Sequence, residues 1–202
     1  MKEPMASKKA HQASGLAAGI LAAVIVVHEK AGGPYQLLAM LALLAGAWGG
    51  TAPDWLEVAW WRKKYRGKRR LWIAHRSLTH WGIPWVMLLW YAYTSFNSVW
   101  WAPVAFGFAA GGLMHLLTDW PNPMGVPWIY RRHSLSMWRS GNLEFVVILL
   151  SWGLCAGVAD GLLFKGANTT KLIALCQSQL KSFSEDAATK AAPRQLIRQS
   201  KT

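Results

Sequence analysis

The sequence is poor in acidic residues, in charge of either sign and in cysteine. Asp and Glu number 9 against 22 Lys and Arg, and charged residues make up 15% of the 202-residue chain, below the roughly 25% of an average soluble domain. The two cysteines exclude a disulfide-dense scaffold. The shortage of charge, together with 53% hydrophobic residues, excludes a disordered chain and an ordinary cytosolic enzyme.

The sequence is instead rich in tryptophan, with 14 residues, and in long apolar blocks. A helix that crosses a bilayer needs about 20 mostly apolar residues. Five blocks approach or reach this length: Ser14–Val27, Gln36–Gly50, Trp81–Phe96, Trp101–Leu117 and Leu143–Phe164. We therefore predict an all-α, polytopic helical membrane bundle of about four to five transmembrane helices within residues 1–165. Residues 166–202 are predicted to form a polar basic tail that is partly helical or disordered.

The basic residues alternate along the chain with the apolar blocks. The N-terminal segment and the loops at 55–74 and 119–142 are rich in Lys and Arg, whereas the loops at 28–35 and 97–100 contain only Lys30. Because short basic loops stay in the cytoplasm, we expect a multi-pass protein with a cytoplasmic N-terminus. Next to membrane spans, the basic runs favour membrane lipids with anionic head groups as partners over a specific nucleic acid.

Six ionisable residues break the apolar pattern. In an up-and-down bundle, odd-numbered helices begin and even-numbered helices end at the same membrane face. All six lie at such ends: His11, Asp54, His75, His80, His115 and Asp119. His115 and Asp119 are four residues apart and therefore share one face of a helix.

Imidazole and carboxylate groups are the ligands of zinc and similar metals. The sequence predicts a divalent metal, zinc or alternatively manganese, at the cytoplasmic interface. Its predicted ligands are His11, Asp54, His80, His115 and Asp119.

Three residues are assigned a catalytic role. Asp54 is a candidate general base, with Asp119 as the alternative, and His75 is a proton shuttle or a further ligand. Arg76 is placed to stabilise negative charge in the transition state, although it is equally suited to extend to the membrane interface. An anionic substrate group is expected to bind a set of arginines: Arg76, Arg131 and Arg132.

Several short motifs occur in a fixed order. They are His11, Pro53-Asp54, His75-Arg76-Ser77-Leu78-Thr79-His80, and the segment from Gly111 to Asp119 followed by Gly125-Val126-Pro127. This order resembles the LexA-regulated, membrane-bound metal-dependent hydrolases of bacterial inner membranes. The resemblance implies hydrolysis and location in the bacterial inner membrane. The chain departs from the family at Leu56, which stands where the family has the second Asp of Pro-Asp-x-Asp, and Glu57 follows it.

The sequence leaves several functions open. The first is a membrane hydrolase that cleaves a phosphoester of a lipid or of another membrane-associated substrate, since a head group would lie at the depth of the metal. The second is a non-enzymatic inner-membrane protein with a structural metal, which a closed four-ligand site would indicate. A channel or transporter would need polar residues in the middle of several spans, and the blocks contain few. An adaptor for nucleic acid would use the basic run at 62–70.

Overall fold

The computed structural model describes residues 7–31, 33–56, 64–65, 68–69, 78–129, 131–137 and 144–199. Side chains are described in these ranges up to residue 185, apart from the short strands at 64–65 and 68–69. The helices found there are α1 (Lys8–His28), α2 (Tyr35–Gly49), α3 (Ala52–Trp55), α4 (Gly82–Thr94), α5 (Ala102–Asp119), α6 (Glu144–Phe164) and α7 (Ala167–Gln199). The predicted all-α helical bundle is confirmed.

Two small antiparallel strand pairs lie in the connections between helices. β1 (Lys64–Tyr65) pairs with β2 (Lys68–Arg69) in the basic loop after α3. β3 (Val126–Pro127) pairs with β4 (Arg132–His133) after α5, with Val126 opposite His133. Val126 of β3 is fully buried in an apolar cluster with Leu116, and the helices form most of the remaining core.

The centre of the bundle is the close contact of α1, α2 and α5, with α4 packed on α5 and α6 packed on α1. Glycine makes this closeness possible. A Cβ atom added to Gly15 of α1 would lie 2.6 Å from the Cα of Gly50, and one added to Gly111 of α5 would clash with the carbonyl oxygen of Gly46. Small residues let helix backbones approach in this way. The end of α2 is thereby held between α1 and α5.

The first turns of α1 and α6 lie side by side. The hydroxyl of Ser7 accepts a hydrogen bond from the backbone N–H of Ala10 and so caps α1. The same hydroxyl and the backbone N–H of Ser7 donate to the carboxylate of Glu144, the first residue of α6, at 2.6 and 2.5 Å. Both helices therefore begin at the same end of the bundle, as alternate up-and-down topology requires.

The outer surface of the helices is strongly apolar. On α4, Trp90 is 70% exposed, and on α6, Phe145 is 69% exposed. In the described part of the chain, two helices are long and apolar enough to cross a membrane, α1 and α6 with 21 residues each, and α2 is a shorter apolar helix. Crossing by α2, α4 and α5 remains a prediction.

The tail after residue 165 was expected to be partly helical or disordered, and the structure continues there as the helix α7. Asp160, near the end of α6, explains how α7 begins. Its carboxylate accepts hydrogen bonds from Asn168 Nδ2 at 2.8 Å and from the backbone N–H of Thr169 at 2.7 Å. Asp160 is thus a structural cap at the end of the bundle where α6 ends.

Candidate metal centre

Four separate parts of the chain deliver five ionisable side chains to one point. His11 comes from the start of α1, Asp54 from α3, and His80 from the residues just before α4. His115 and Asp119 come from the last two turns of α5. The three histidines and Asp119 are 3% exposed or less, whereas the side chain of Asp54 is 46% exposed. The cluster is therefore buried on all sides but the one where Asp54 lies.

The donor atoms of the cluster lie at nearly equal distances. His115 Nε2 is 3.6 Å from Asp54 Oδ1, 3.6 Å from Asp119 Oδ2 and 3.3 Å from His80 Nε2. His80 Nε2 is 3.5 Å from Asp54 Oδ1 and 3.8 Å from Asp119 Oδ2. His11 Nε2 is 3.6 Å from Asp119 Oδ1. Ligands about 2.0–2.2 Å from a tetrahedral ion are about 3.3–3.6 Å apart, so these residues fit a metal of the size of zinc.

The carbonyl group of Gly50 fixes the protonation of His115. His115 Nδ1 lies 2.8 Å from this oxygen, and because a carbonyl only accepts, Nδ1 carries the proton. In the neutral ring the lone pair is then on Nε2, the atom that faces His80, Asp54 and Asp119. This arrangement is typical of a metal-binding histidine, whose other ring nitrogen is held by a backbone or side-chain acceptor.

Two other contacts orient the ligands. Thr79 Oγ1 lies 3.2 Å from His80 Nδ1, the ring nitrogen that faces away from the cluster. Asn122 Nδ2 donates to Asp119 Oδ1 at 3.2 Å, and Asn122 is 2% exposed. Sequence reasoning missed Asn122, although its position between two prolines, three residues after Asp119, was a signal for a turn that folds back on the ligand.

The rings of His11 and His115 are stacked. Their centroids are 3.9 Å apart and the planes are inclined by 19°. Stacking places the edges of the two imidazoles side by side, so His11 and His115 direct ring nitrogens toward the same part of the cluster. The stack also joins α1 to α5 at the level of the cluster.

The charge of Asp54 is set by its neighbours. Burial raises the pKa of its carboxyl group, but the hydrogen bond with His80 and the charges of His115 and His11 outweigh burial and lower the pKa to about 2. Asp54 is thus a carboxylate at neutral pH. The carboxyl groups of Asp54 and Asp119 lie close together in a mostly buried site, and buried charge requires a partner. A divalent cation is one partner that would compensate this charge.

The other predicted site residues have different outcomes. Arg131 and Arg132 are exposed, at β4 and the residue before it, and their part in substrate binding remains a prediction. His75 and Arg76 lie outside the described residues, as does Glu57.

Leu56, which replaces the second aspartate of the family motif, packs against the apolar cluster that contains Ala52 and Leu116. At this position the chain uses an apolar contact where the motif has a carboxylate. The described ligand set therefore holds two carboxylates, from Asp54 and Asp119.

Comparison with known proteins gives one relationship. Neither the curated proteins nor the solved structures contain a significant match to this chain. A family profile matches residues 5–176, a range that includes all five residues of the cluster and helices α1 to α6. The chain belongs to the YdjM inner membrane protein family.

Proposed function

We propose that this chain is a multi-pass inner-membrane hydrolase with its N-terminus in the cytoplasm and a divalent metal, zinc or manganese, held at the cytoplasmic interface. The ligands are His11, Asp54, His80, His115 and Asp119. The substrate class is a phosphoester of a lipid or of another membrane-associated molecule. This function extends the family relationship, which gives location in the inner membrane.

One observation carries the proposal. His115 is held by Gly50 with its Nε2 lone pair directed at two carboxylate oxygens 3.6 Å away and at a second imidazole nitrogen 3.3 Å away. Lone pairs from these atoms repel one another unless a proton or a metal cation lies among them, and one cation can be shared by all of them. Two groups of three residues have donor atoms mutually close enough to share an ion, and they have His115 in common: His11, Asp54 and His115, and His80, His115 and Asp119.

A bound divalent metal lowers the pKa of a coordinated water toward about 7 and so supplies a nucleophile at neutral pH. The chain's own residues then have distinct tasks. The four buried ligands fix the position of the ion and exclude bulk water. Asp54 is a half-exposed carboxylate, so it accepts a hydrogen bond from a water that enters from its side and orients that water.

The exposure of Asp54 also helps to distinguish a catalytic role of the metal from a structural role. Structural zinc sites are closed, whereas catalytic sites keep a position for water or substrate. The open side at Asp54 favours catalysis. Substrate phosphate is expected at the same side, and Arg76, Arg131 and Arg132 are the proposed anion-binding residues.

The test uses the purified full-length protein, loaded with zinc or manganese and incubated with a panel of phospholipids and other membrane-associated phosphoesters. We expect the wild type to release product, and we expect Asp54→Ala and His115→Ala to reduce the rate by at least about a hundredfold. His28→Ala is the matched control, because His28 is an exposed histidine at the far end of α1. Metal binding without turnover of any substrate would favour the structural role.

A further inference from the structure

The first half of α7 has an exposed apolar face. Leu172, Ile173, Leu180 and Phe183 are between 53% and 72% exposed, and Cys176 is also exposed. In the described residues, the main contacts of α7 are with α6. Large apolar side chains with this exposure require a partner surface.

These side chains lie on one side of the helix. At 100° per residue, Leu172, Cys176, Phe183, Leu180 and Ile173 fall within an arc of about 100°, and Leu175, which is 58% exposed, widens this arc to about 160°. The opposite side carries polar and charged residues: Lys171, Ser178, Lys181, Ser182 and Glu185. Segment 171–185 is therefore amphipathic, although α7 as a whole is not.

A fixed turn joins this segment to α6. Lys165 and Gly166 both adopt left-handed backbone conformations, with φ of 52° and 74°. The carboxylate of Asp160 in α6 binds the first turn of α7 through the side chain of Asn168 and the backbone and hydroxyl of Thr169. α7 thus starts three residues after the end of α6 with its direction set by hydrogen bonds, at the level where α6 ends.

A recess lies between the two helices. It has a volume of about 530 Å³, and its walls include Gly153 and Gly157 of α6 and Leu172 of α7. A Cβ added to either glycine would meet nothing within 4 Å. The apolar side of α7 near Leu172 therefore faces an apolar space that the protein itself does not fill.

We infer that segment 171–185 lies on the surface of the bilayer, with its apolar face among the lipid chains and its basic side among anionic head groups. The inference rests on the crossing of the membrane by α6, as proposed above. Because α7 begins directly after α6 ends, its first turns already lie at the level of the bilayer surface. Interfacial helices have this combination of an apolar face with lysines on the polar side.

A second copy of this chain is the other occupant that an apolar helix face suggests. A two-stranded coiled coil needs apolar residues at alternating intervals of three and four over at least about three heptads. Ile173, Cys176, Leu180 and Phe183 begin such a series, but the small Ala187 and then Lys190 and Arg194 follow at the corresponding positions in the sequence. The apolar seam is too short for a coiled coil, and the basic residues favour the anionic membrane surface.

The test measures the depth of nitroxide labels on the full-length protein in vesicles of phosphatidylethanolamine and phosphatidylglycerol. Cys176 is a native labelling site on the apolar face, and Cys155→Ala makes it the single cysteine. In a variant that lacks Cys176, a label at Leu180→Cys probes the apolar face a second time. Labels at Ser178→Cys and Lys181→Cys probe the polar side. If Cys155→Ala fails to fold, native Cys155 is retained, since it is 4% exposed and protected from the label.

At positions 176 and 180 we expect the nitroxide label to collide more often with oxygen than with a water-soluble nickel chelate. At positions 178 and 181 we expect it to collide more often with the nickel chelate. Leu150→Cys, on the exposed side of α6, serves as the deep reference. Equal access of the nickel chelate to all four α7 positions would overturn the inference, as would spin–spin broadening at position 176 that shows a second copy on this face. Access of the chelate to position 150 would overturn it together with the crossing of α6. None of these results depends on metal or hydrolysis.

Discussion

His80 and His115 face each other through their Nε2 atoms at a distance of 3.3 Å. Both rings are buried, and the Nδ1 atom of His115 already donates to the carbonyl of Gly50. The remaining nitrogen of His115 therefore acts as an acceptor next to Asp54 and Asp119. The cation proposed above would lie among these groups and compensate their charge in the interior of an apolar bundle.

Asn122 is expected to strengthen metal binding, because its hydrogen bond holds Oδ1 of Asp119 in place. Loss of a group that orients a metal ligand typically costs about 10–100-fold in affinity. We therefore predict that Asn122→Ala weakens zinc binding by this factor while the helical circular dichroism is retained. The affinity is measured by competition with a chromogenic chelator. Asn168→Ala, in the first turn of α7, should leave it unchanged, and an Asn122→Ala protein with wild-type affinity would refute the role.

Gly111 is expected to be essential for the packing of α2 on α5. A methyl group there would clash with the carbonyl of Gly46 and lie 2.8 Å from the backbone nitrogen of Gly50. Overpacking of this kind costs about 1–3 kcal/mol, so Gly111→Ala should lower the Tm and displace the Gly50 carbonyl from His115. Gly153→Ala is the matched control in open space, where alanine favours the helix by up to about 1 kcal/mol. Equal Tm values for the two variants would show that the close contact is not required.

Zinc affinity is expected to fall as the pH is lowered. Ligand histidines must be neutral, and imidazoles ordinarily take up protons near pH 6.5, each adding up to about a tenfold loss of affinity per pH unit. Asp54 stays ionised because its pKa is lowered to about 2, so the stability that its charge contributes is present above its ordinary pKa and is lost only as the pH falls toward 2. The slope of affinity against pH should therefore report the histidines.

His11→Ala should reduce that slope by one proton, and His28→Ala should leave it unchanged. The comparison is made by measuring the dissociation constant of zinc between about pH 5 and pH 7.5, around the ordinary histidine pKa. An affinity that does not vary with pH in this interval would contradict this prediction.

The contact between Ser7 and Glu144 is expected to hold α1 and α6 together at the end where both begin. Ser7 caps α1 and also donates to the Glu144 carboxylate. Loss of a cap of this type costs about 0.5–2 kcal/mol, so Ser7→Ala should lower the free energy of unfolding by an amount in that range. Ser184→Ala, on α7, should have no such effect when denaturation is followed in the same detergent. A Ser7→Ala protein as stable as the wild type would contradict this account of the helix pair.

The apolar blocks predicted the helices well because long apolar runs have few other structures open to them. The block Leu143–Phe164 corresponds to α6 at 144–164, whereas the block Trp81–Phe96 is trimmed to the helix 82–94, as turn residues take over at Ser95. The convergence of His11, Asp54, His80, His115 and Asp119 followed from the alternation of helix directions.

Other features could not be read from the sequence. The contact of the Gly50 carbonyl with His115 depends on how closely α2 approaches α5. Every residue has a backbone carbonyl, so the sequence does not indicate which of them His115 contacts. The same holds for Asn122, whose side chain is directed by the turn that follows α5 and by the hydrogen bond that Ser134 Oγ donates to the Asn122 carbonyl at 2.6 Å.

The most direct test of the account is the metal content and coordination of the purified full-length protein, measured by elemental analysis and X-ray absorption. We predict a bound divalent metal, zinc or manganese, with nitrogen and oxygen ligands at about 2.0–2.2 Å, lost in the double variant His115→Ala, Asp119→Ala and retained in His28→Ala. A wild-type protein without metal, or a double variant with the same metal content and coordination, would contradict it.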